Sequence, residues 1–288
     1  MKTISILGLL VVTSLSAVNA DTIFEETFNT YEKDQLLPAG AGTPWYGAPS
    51  TSGFGTYVRQ DTQGYFGHGT TNRYLEASAT NSVRNNGYFL SSNALPISGN
   101  LGTVGQISFQ IYQPGAFTDT MGAFFDLTSG VGGNANLTWG ISFSNGKIYL
   151  VQGSAAVIGG PVLATYDYQK AYTITLAFNN SLEDISYDGH TLESGGLDLW
   201  IDGELVAGNL ARYVSETRPP LGAAIDSFNL KLRPADPLVS TETYSATIYI
   251  DSIKAENQIS IPEPSLAGLA AAAAAALLLL RKGRRLLA

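Results

Sequence analysis

Carboxylates are the main side chains in this sequence that could do chemistry. The 288 residues include no Cys and two His, which excludes a disulfide scaffold, a thiolate zinc site, a cysteine nucleophile and a multi-histidine metal site. Glycoside cleavage needs two carboxyl groups, about 5–10 Å apart. Glu32 and Asp34 form one candidate set, and Asp198, Asp202 and Glu204 form another. Asp202 falls in an expected turn and the first set in an expected loop, so we predict no catalytic residues.

An acidic segment is the candidate metal site. Calcium takes six to eight oxygen ligands from carboxylates and loop carbonyls. Four acids fall within eleven residues of an expected loop over 180–195, in a spacing that matches no EF-hand. A calcium site and a solvated acidic loop both remain open for Glu183, Asp184, Asp188 and Glu193.

Aromatic rings are the candidate sugar-binding groups, because a flat ring can pack against the face of a pyranose. Most of them lie in Gly- and Pro-rich stretches of 37–72, where a core position is a weaker explanation than in a strand. Trp200 lies in a strand, on the face opposite Leu199 and Ile201, and could be either core or exposed. The candidate rings are Trp45, Tyr46, Tyr57, Tyr65 and Trp200.

The N-terminus reads as a signal peptide. Lys2 precedes an apolar run, and Val18 and Ala20 suit the small −3 and −1 positions of a cleavage site. We therefore predict residues 1–20 as a signal peptide and expect the protein to be exported.

The C-terminus has three parts: the sequence Pro262-Glu263-Pro264, an apolar segment over 265–280, and a basic cluster. The apolar run would span about 22 Å as a helix, short of a ~30 Å hydrocarbon core. The basic residues, which favour the cytoplasmic side of a membrane, are Arg281, Lys282, Arg284 and Arg285.

This three-part order over 261–288 resembles the PEP-CTERM sorting signal of Gram-negative bacteria. The resemblance implies a transient inner-membrane anchor through the C-terminal helix and processing by exosortase. It also implies delivery to the cell surface or the extracellular matrix. An ordinary tail anchor remains the alternative.

Charge excludes one class of partner. Without the two terminal segments, 11 basic and 23 acidic residues remain, a formal charge of about −12. Because nucleic-acid binding depends on Lys and Arg that neutralise phosphates, we expect no nucleic-acid partner.

The body over 21–260 reads as one all-β domain. Apolar and polar residues alternate in most segments, with no helical period. Asn145-Gly146 and Asp202-Gly203 each separate two alternating runs, which predicts two tight hairpins. We expect ten to thirteen strands in a two-sheet antiparallel sandwich.

Four segments carry a second resemblance. They are Phe24-Glu25-Glu26-Thr27-Phe28, the strand Trp139-Gly140-Ile141-Ser142-Phe143 with its Asn-Gly hairpin, the segment from Leu199 to Val206, and the closing run from Ala246 to Ala255. Their order is similar to the concanavalin A-like, LamG-type jelly roll. The resemblance implies a curved sheet that often binds carbohydrate, sometimes with calcium nearby.

Enzymes of the same fold give the alternative reading. The laminarinase-like pattern Glu-x-Asp-x-x-Glu is broken here, because Leu37 stands where the last acid should be. Jelly-roll polysaccharide lyases pair a His or Tyr base with Arg, which His68 with Arg59 and Arg73 could imitate. The glycines beside His68 favour a flexible loop instead.

Three functions remain open at this point. The first is a non-catalytic carbohydrate-binding or adhesion module with a polysaccharide partner. The second is a polysaccharide-cleaving enzyme, a glycosidase or a lyase. The third is a structural matrix component without a ligand. The sequence does not indicate an oligomeric state.

Overall fold

A computed structural model describes residues 20–38, 43–47, 50–51, 54–81, 89–92, 101–118, 121–130, 134–151, 161–234 and 244–260. Both sequence-predicted terminal signals therefore lie essentially outside the described residues. These include Pro262, Glu263 and Pro264 of the sorting motif and the basic residues Arg281, Lys282, Arg284 and Arg285.

The described ranges contain eighteen strands and one 3₁₀ turn, Asn134–Asn136, and no α-helix. The strands are β1 Thr22–Glu26, β2 Trp45–Gly47, β3 Ser50–Thr51, β4 Phe54–Gln60, β5 Arg73–Asn81, β6 Phe89–Ser92, β7 Val104–Tyr112, β8 Met121–Thr128, β9 Leu137–Ser144, β10 Lys147–Leu150, β11 Val162–Thr165, β12 Ala171–Asn179, β13 Ile185–Tyr187, β14 His190–Leu192, β15 Gly196–Ile201, β16 Glu204–Ala211, β17 Ser227–Pro234 and β18 Tyr244–Glu256. No helix in this part of the chain has the length and apolar composition of a membrane span.

The strands form two large antiparallel sheets and one small hairpin. The nine-stranded sheet has the order β16-β15-β12-β7-β18-β5-β4-β3, with β1 also paired to β18. The seven-stranded sheet has the order β11-β10-β9-β8-β17-β6-β2, and β13 pairs only with β14. For the described residues, the prediction of an all-β fold with antiparallel sheets is confirmed.

Both predicted hairpins are present. Asn145 and Gly146 join β9 to β10, and Asp202 and Gly203 join β15 to β16. All four residues have positive φ, between 48° and 82°. Two consecutive left-handed residues make the turn whose twist matches the flanking strands, which explains the Asn-Gly and Asp-Gly sequences.

The strand count and the loop boundaries differ from the prediction. Four short strands lie in segments that we expected to be loops, namely β2 and β3 in 37–72, and β13 and β14 in 180–195. The short strand that we expected near Tyr57 and Val58 is present as the longer β4. Polar residues dominate the second pair, so its alternation is weak in the sequence.

Aromatic contacts between the two large sheets form the centre of the core. Phe109 of β7 stacks on Phe125 of β8 with ring centroids 3.9 Å apart. Trp139 of β9 lies 6.1 Å from Phe178 of β12. These four side chains are at most 1% exposed. Each fully buried side chain of this size contributes about 1.5–3 kcal/mol of transfer free energy. The side chains on the inner faces of the sheets therefore form the core. Polar side chains that could bind a ligand lie on the outer face of the nine-stranded sheet.

Candidate functional site: the outer face of the nine-stranded sheet

A row of tyrosines crosses four neighbouring strands on this outer face. Tyr57 of β4 lies opposite Glu76 of β5, which lies opposite Tyr249 of β18. Tyr249 in turn lies opposite Tyr112 of β7. Directly opposed residues have Cβ atoms about 4.5–5.5 Å apart, so the row is continuous. With two further rings from the same face and the adjoining loop, it forms what we call the tyrosine surface: Tyr57, Tyr65, Tyr74, Tyr112 and Tyr249.

Most of these rings touch one another rather than the main core. The Tyr112 and Tyr249 rings are nearly parallel, at 6°, with centroids 5.7 Å apart. Tyr74 lies 4.7 Å from Tyr249, and Tyr65 lies 4.5 Å from Tyr112. Together with Phe66 they form a cluster separate from the inter-sheet core. Tyr57, Tyr65 and Tyr249 remain partly exposed.

Three hydroxyl groups of this surface, those of Tyr74, Tyr112 and Tyr249, are neutral at neutral pH. Burial raises the pKa of Tyr74, Tyr112 and Tyr249 above the ordinary value of a phenol, and neighbouring carboxylates and tyrosines add to the effect. At neutral pH each hydroxyl can therefore both donate and accept a hydrogen bond.

A buried carboxylate anchors the loop that carries Tyr65. Asp61 is fully buried, and its carboxylate accepts hydrogen bonds from the backbone N–H groups of Tyr65 at 2.8 Å and Phe66 at 3.0 Å. The glycines on either side of His68 have φ values of 75° and 87°. These glycines therefore permit a defined left-handed backbone conformation in this loop, and they do not indicate general flexibility.

Charged groups border the row at Tyr57. The guanidinium of Arg59 lies 4.9 Å from the centre of the Tyr57 ring. Its Nη2 is 2.9 Å from Glu76 Oε1, and its Nη1 is 2.8 Å from Asp34 Oδ1. The tyrosine surface therefore has polar donors and acceptors beside its rings.

A polar cleft of about 570 Å³ opens beside the tyrosine surface. His68 Nε2 lies 2.8 Å from Oε1 of Gln110, which is two residues before Tyr112 on the same face of β7. The cleft is lined by Thr27, Asn29, His68, Thr71, Asn72, Arg73 and Ser252.

Asp251 accepts hydrogen bonds from two residues that line the cleft. Its Oδ2 accepts a 2.6 Å hydrogen bond from Asn72 Nδ2, and its Oδ1 accepts one of 2.7 Å from the Ser252 N–H. Burial raises the pKa of Asp251 to about 6, although these two hydrogen bonds and the nearby His68 act in the opposite direction. The charge of Asp61 adds to the upward shift.

Two of the predicted sugar-binding rings belong to this surface, and one belongs to the core. Tyr57 and Tyr65 lie on the outer face, as described. Trp45 is 1% exposed and packs against Phe24 at 5.7 Å and Phe28 at 6.2 Å. The prediction of Trp45 as a binding ring was wrong, because both sheets contribute apolar rings around it. The side chain of Tyr46 lies outside the described residues.

Trp200 is covered by the hairpin of β13 and β14. It is 8% exposed, and its Nε1 donates a 3.0 Å hydrogen bond to the Tyr187 hydroxyl. That hydroxyl donates to Asp198 Oδ2 at 2.5 Å, and His190 Nε2 lies 2.9 Å from the same oxygen. Burial and the Asp198 carboxylate raise the pKa of Tyr187. Trp200 therefore has no open face for a sugar, and its prediction as a binding ring was also wrong.

The predicted calcium ligands do not converge. The segment folds as a hairpin with Asp188 at its turn, and Asp184 Oδ1 accepts a 2.9 Å hydrogen bond from the Ser194 N–H. In the described ranges, no three His, Asp or Glu side chains form a metal-ligand group. For Glu183, Asp184, Asp188 and Glu193, the structure favours the solvated alternative.

Three of the five carboxylates in the two candidate catalytic sets have separate structural partners. Asp34 pairs with Arg59, Asp202 Oδ1 accepts a 2.8 Å hydrogen bond from the Thr173 N–H, and Asp198 accepts from Tyr187.

The sequence reasoning missed Tyr74, Tyr112 and Tyr249. Each lies in a strand, where we expected large rings to be core. The available signal was alternation: Tyr249 stands between Ile248 and Ile250, which are both buried, so it must point away from the core.

No protein-family model matches the chain, and no curated protein matches it in sequence. A solved carbohydrate esterase from the Shiga toxin-encoding bacteriophage phi24B is 17% identical, covers 84% of this chain and 100% of its own, and has a TM-score of 0.47. The cellulose-induced protein Cip1 is 11% identical, covers 82% and 97%, and has a TM-score of 0.47. A structure associated with endo-acting O-glycanases of the human gut microbiota is 11% identical, covers 83% and 100%, and has a TM-score of 0.49. Because these TM-scores are below 0.5, the likenesses do not identify the fold or the function of this chain.

The assignment of Trp45 to the core can be tested directly. Trp45→Phe should lower the free energy of unfolding by about 1–3 kcal/mol, because it shrinks a fully buried ring. Retardation by polysaccharide in affinity gels should stay at the wild-type value. Urea unfolding and affinity electrophoresis measure the two quantities. Unchanged stability together with lost retardation would return Trp45 to the binding surface.

Asp251 should give stability a distinctive pH dependence. Its folded-state pKa of about 6 lies above the unfolded value near 4. The folded protein therefore binds this proton more tightly, and the stabilisation present at low pH is lost as the pH rises through 6. The free energy of unfolding of Asp251→Asn, relative to that of the wild type, should therefore increase by on the order of 2 kcal/mol between pH 4 and pH 7. Because the variant and the wild type share all other titrating groups, the difference between their free energies of unfolding isolates the effect of Asp251. A difference in unfolding free energy that stays constant with pH would contradict this account.

Proposed function

We propose that this protein is a non-catalytic carbohydrate-binding module that uses the tyrosine surface to hold a polysaccharide. The observation that carries the proposal is the row Tyr57, Glu76, Tyr249 and Tyr112 on the sheet face that points away from the core. The inter-sheet core does not include these rings, so packing between the sheets does not account for them.

The chemistry of the surface suits a sugar chain. The axial C–H groups of a pyranose form an apolar face that packs on an aromatic ring, while its hydroxyls need hydrogen-bonding partners around the rim. The tyrosine hydroxyls, Arg59 and Glu76 supply donors and acceptors beside the rings. Tyr74 and Tyr112 are only 5% and 9% exposed and support the other rings from below. The partly exposed rings of Tyr57, Tyr65 and Tyr249 lie across neighbouring strands and the adjoining loop, which suits an extended polymer.

We propose the specific fold family together with the function. Two antiparallel sheets that pack face to face are compatible with a concanavalin A-like, LamG-type jelly roll. We assign the binding surface to the outer face of its nine-stranded sheet.

Binding should depend on the exposed rings of the tyrosine surface. In affinity electrophoresis through gels with a panel of polysaccharides, the wild-type protein should be retarded by at least one undegraded polymer. Tyr57→Ala and Tyr65→Ala should each raise the dissociation constant for that polymer about 5- to 20-fold, since each loses a stacking contact of about 1–2 kcal/mol.

Tyr213→Ala is the matched control. The Arg218 guanidinium lies 4.9 Å from the centre of the Tyr213 ring, the same distance as between Arg59 and Tyr57, but Tyr213 is not part of the tyrosine surface. It should leave binding unchanged. Cleavage of the gel polymer would favour the enzyme alternative. Unchanged mobility in every polymer would favour the structural alternative.

The terminal signals support a proposed location. We propose that residues 1–20 direct export and that residues 261–288 act as a PEP-CTERM signal with exosortase as the processing partner. The membrane would then hold only the precursor, through 265–280. The mature protein would act at the cell surface or in the extracellular matrix.

Processing should leave a defined mass. Intact-mass measurement of the surface-released protein should show a chain that begins near residue 21 and ends near residue 262. Changing Pro262, Glu263 and Pro264 together to Ala should retain the full C-terminus in the membrane fraction. Release of the altered protein with a normal mass would overturn the sorting proposal.

A further inference from the structure

We propose that the polar cleft beside the tyrosine surface binds a negatively charged substituent, a carboxylate or a sulfate ester, of the bound polysaccharide, with Arg73 as its counter-ion. This inference rests on the proposed carbohydrate-binding function and narrows its ligand to an acidic polysaccharide.

The lining of the cleft differs from the rest of this acidic protein. It contains one arginine and one histidine, and its other side chains carry hydroxyl or amide groups, such as Thr27, Asn29 and Ser252. Neither a carboxylate nor a large apolar side chain is among the lining residues. An anion in the cleft therefore contacts no carboxylate of the lining, although the chain has a net charge of −8.

Arg73 is available to a ligand in a way that Arg59 is not. Arg59 already pairs with two carboxylates. In the part of the chain that the structure describes, Arg73 makes no ion pair with a carboxylate. Its one side-chain hydrogen bond there is a long one, 3.4 Å from Nη1 to the Asn29 carbonyl oxygen. A guanidinium in this state presents a planar fork of donors that matches a carboxylate or a sulfate.

The buried acids near the cleft do not face the ligand. Both oxygens of Asp251 accept hydrogen bonds, from Asn72 and Ser252. Both oxygens of Asp61 accept from the backbone of its own loop. Their lone pairs are directed to N–H groups of the protein, and neither acid is among the lining residues, so the guanidinium of Arg73 is the charged group that a ligand in the cleft can contact.

Hydrogen bonds within the protein hold the backbone around Arg73 in place without a ligand. The backbone N–H of Arg73 donates a 2.8 Å hydrogen bond to Asn29 Oδ1, and Asn29 Nδ2 donates to Asn72 Oδ1 at 3.3 Å. Ser252 adopts a φ of 51° within β18, where the pairing with β7 shifts register. Little ordering of the backbone is therefore required on binding.

The cleft adjoins the rings through the loop that carries Tyr65. His68 of this loop lines the cleft, and its Nε2 lies 2.8 Å from Oε1 of Gln110, which is on the same face of β7 as Tyr112. A sugar chain that stacks on the tyrosine surface can thus extend a neighbouring unit into the cleft. A volume of about 570 Å³ lies within the range of small-molecule pockets and accommodates one sugar unit.

The test compares polymers that differ in charge. Polygalacturonate and its methyl-esterified form share a backbone, and so do dextran sulfate and dextran. Affinity electrophoresis of the wild-type protein should show at least tenfold tighter binding to the charged member of at least one pair. This preference should fall as NaCl is raised, because salt screens an exposed ion pair.

Arg73 variants assign the preference to the cleft. Arg73→Gln should reduce the charged-to-neutral affinity ratio to about one and leave the affinity for the neutral polymer unchanged. Arg73→Lys should keep part of the ratio, since it keeps the charge but loses the fork. Lys147→Gln removes an exposed positive charge from β10 of the other sheet and should leave the ratio at the wild-type value. Thermal unfolding of each variant verifies that it is folded.

The outcomes separate the two proposals. Equal affinity for both members of both pairs, or a preference that survives Arg73→Gln, overturns the assignment of the cleft while carbohydrate binding stands. Binding to a neutral polysaccharide without binding to either charged polymer has the same meaning. Failure to bind any polysaccharide overturns the proposed function and this inference together.

Discussion

The register between four strands of the nine-stranded sheet determines what the protein presents to solvent. On the inner face, Val58, Leu75, Ile250 and Ile111 form one directly opposed row, and each is at most 1% exposed. Because side chains alternate along a strand, the burial of this row places the preceding or following residues in a matching outer row. A slip of one residue in any pairing would expose an aliphatic side chain and bury a polar one. The packing of the core therefore also aligns the tyrosines.

This dependence explains how far the sequence predicted the structure. Alternation and the Asn145-Gly146 and Asp202-Gly203 pairs are local signals, and they predicted the all-β class and both hairpins. The tyrosine row depends on pairings between strands that are far apart in the chain, such as β5 and β18, and no local pattern encodes them. Trp45 was misplaced for a related reason. Its Gly- and Pro-rich surroundings indicated a loop, but the short strand β2 carries the ring into the space between the sheets.

The acidic composition has a structural use that the sequence alone did not reveal. Several carboxylates are fully buried, and donors from the protein satisfy them. Asp61 accepts two backbone N–H groups, Asp198 accepts the Tyr187 hydroxyl, and Asp251 accepts an amide and a backbone N–H. A buried carboxylate without such donors would cost several kcal/mol. These acids hold loops and hairpins in place. Because they contribute to the net charge but are not available to a ligand, the net charge of the chain is a poor guide to what it binds.

The register shift at Ser252 has a consequence for how this chain can diverge. Before it, the even-numbered residues Ile248 and Ile250 face the core, and after it the odd-numbered Ile253 and Ala255 do. One extra residue in β18 thus inverts the parity of the remaining strand. Loss of that residue, or gain of another, would turn Ile253 and Ala255 to solvent and direct Lys254 into the core. Descendants of this sequence can therefore exchange side chains along β18 with some freedom, but the spacing between Tyr249 and Ile253 is a fixed length.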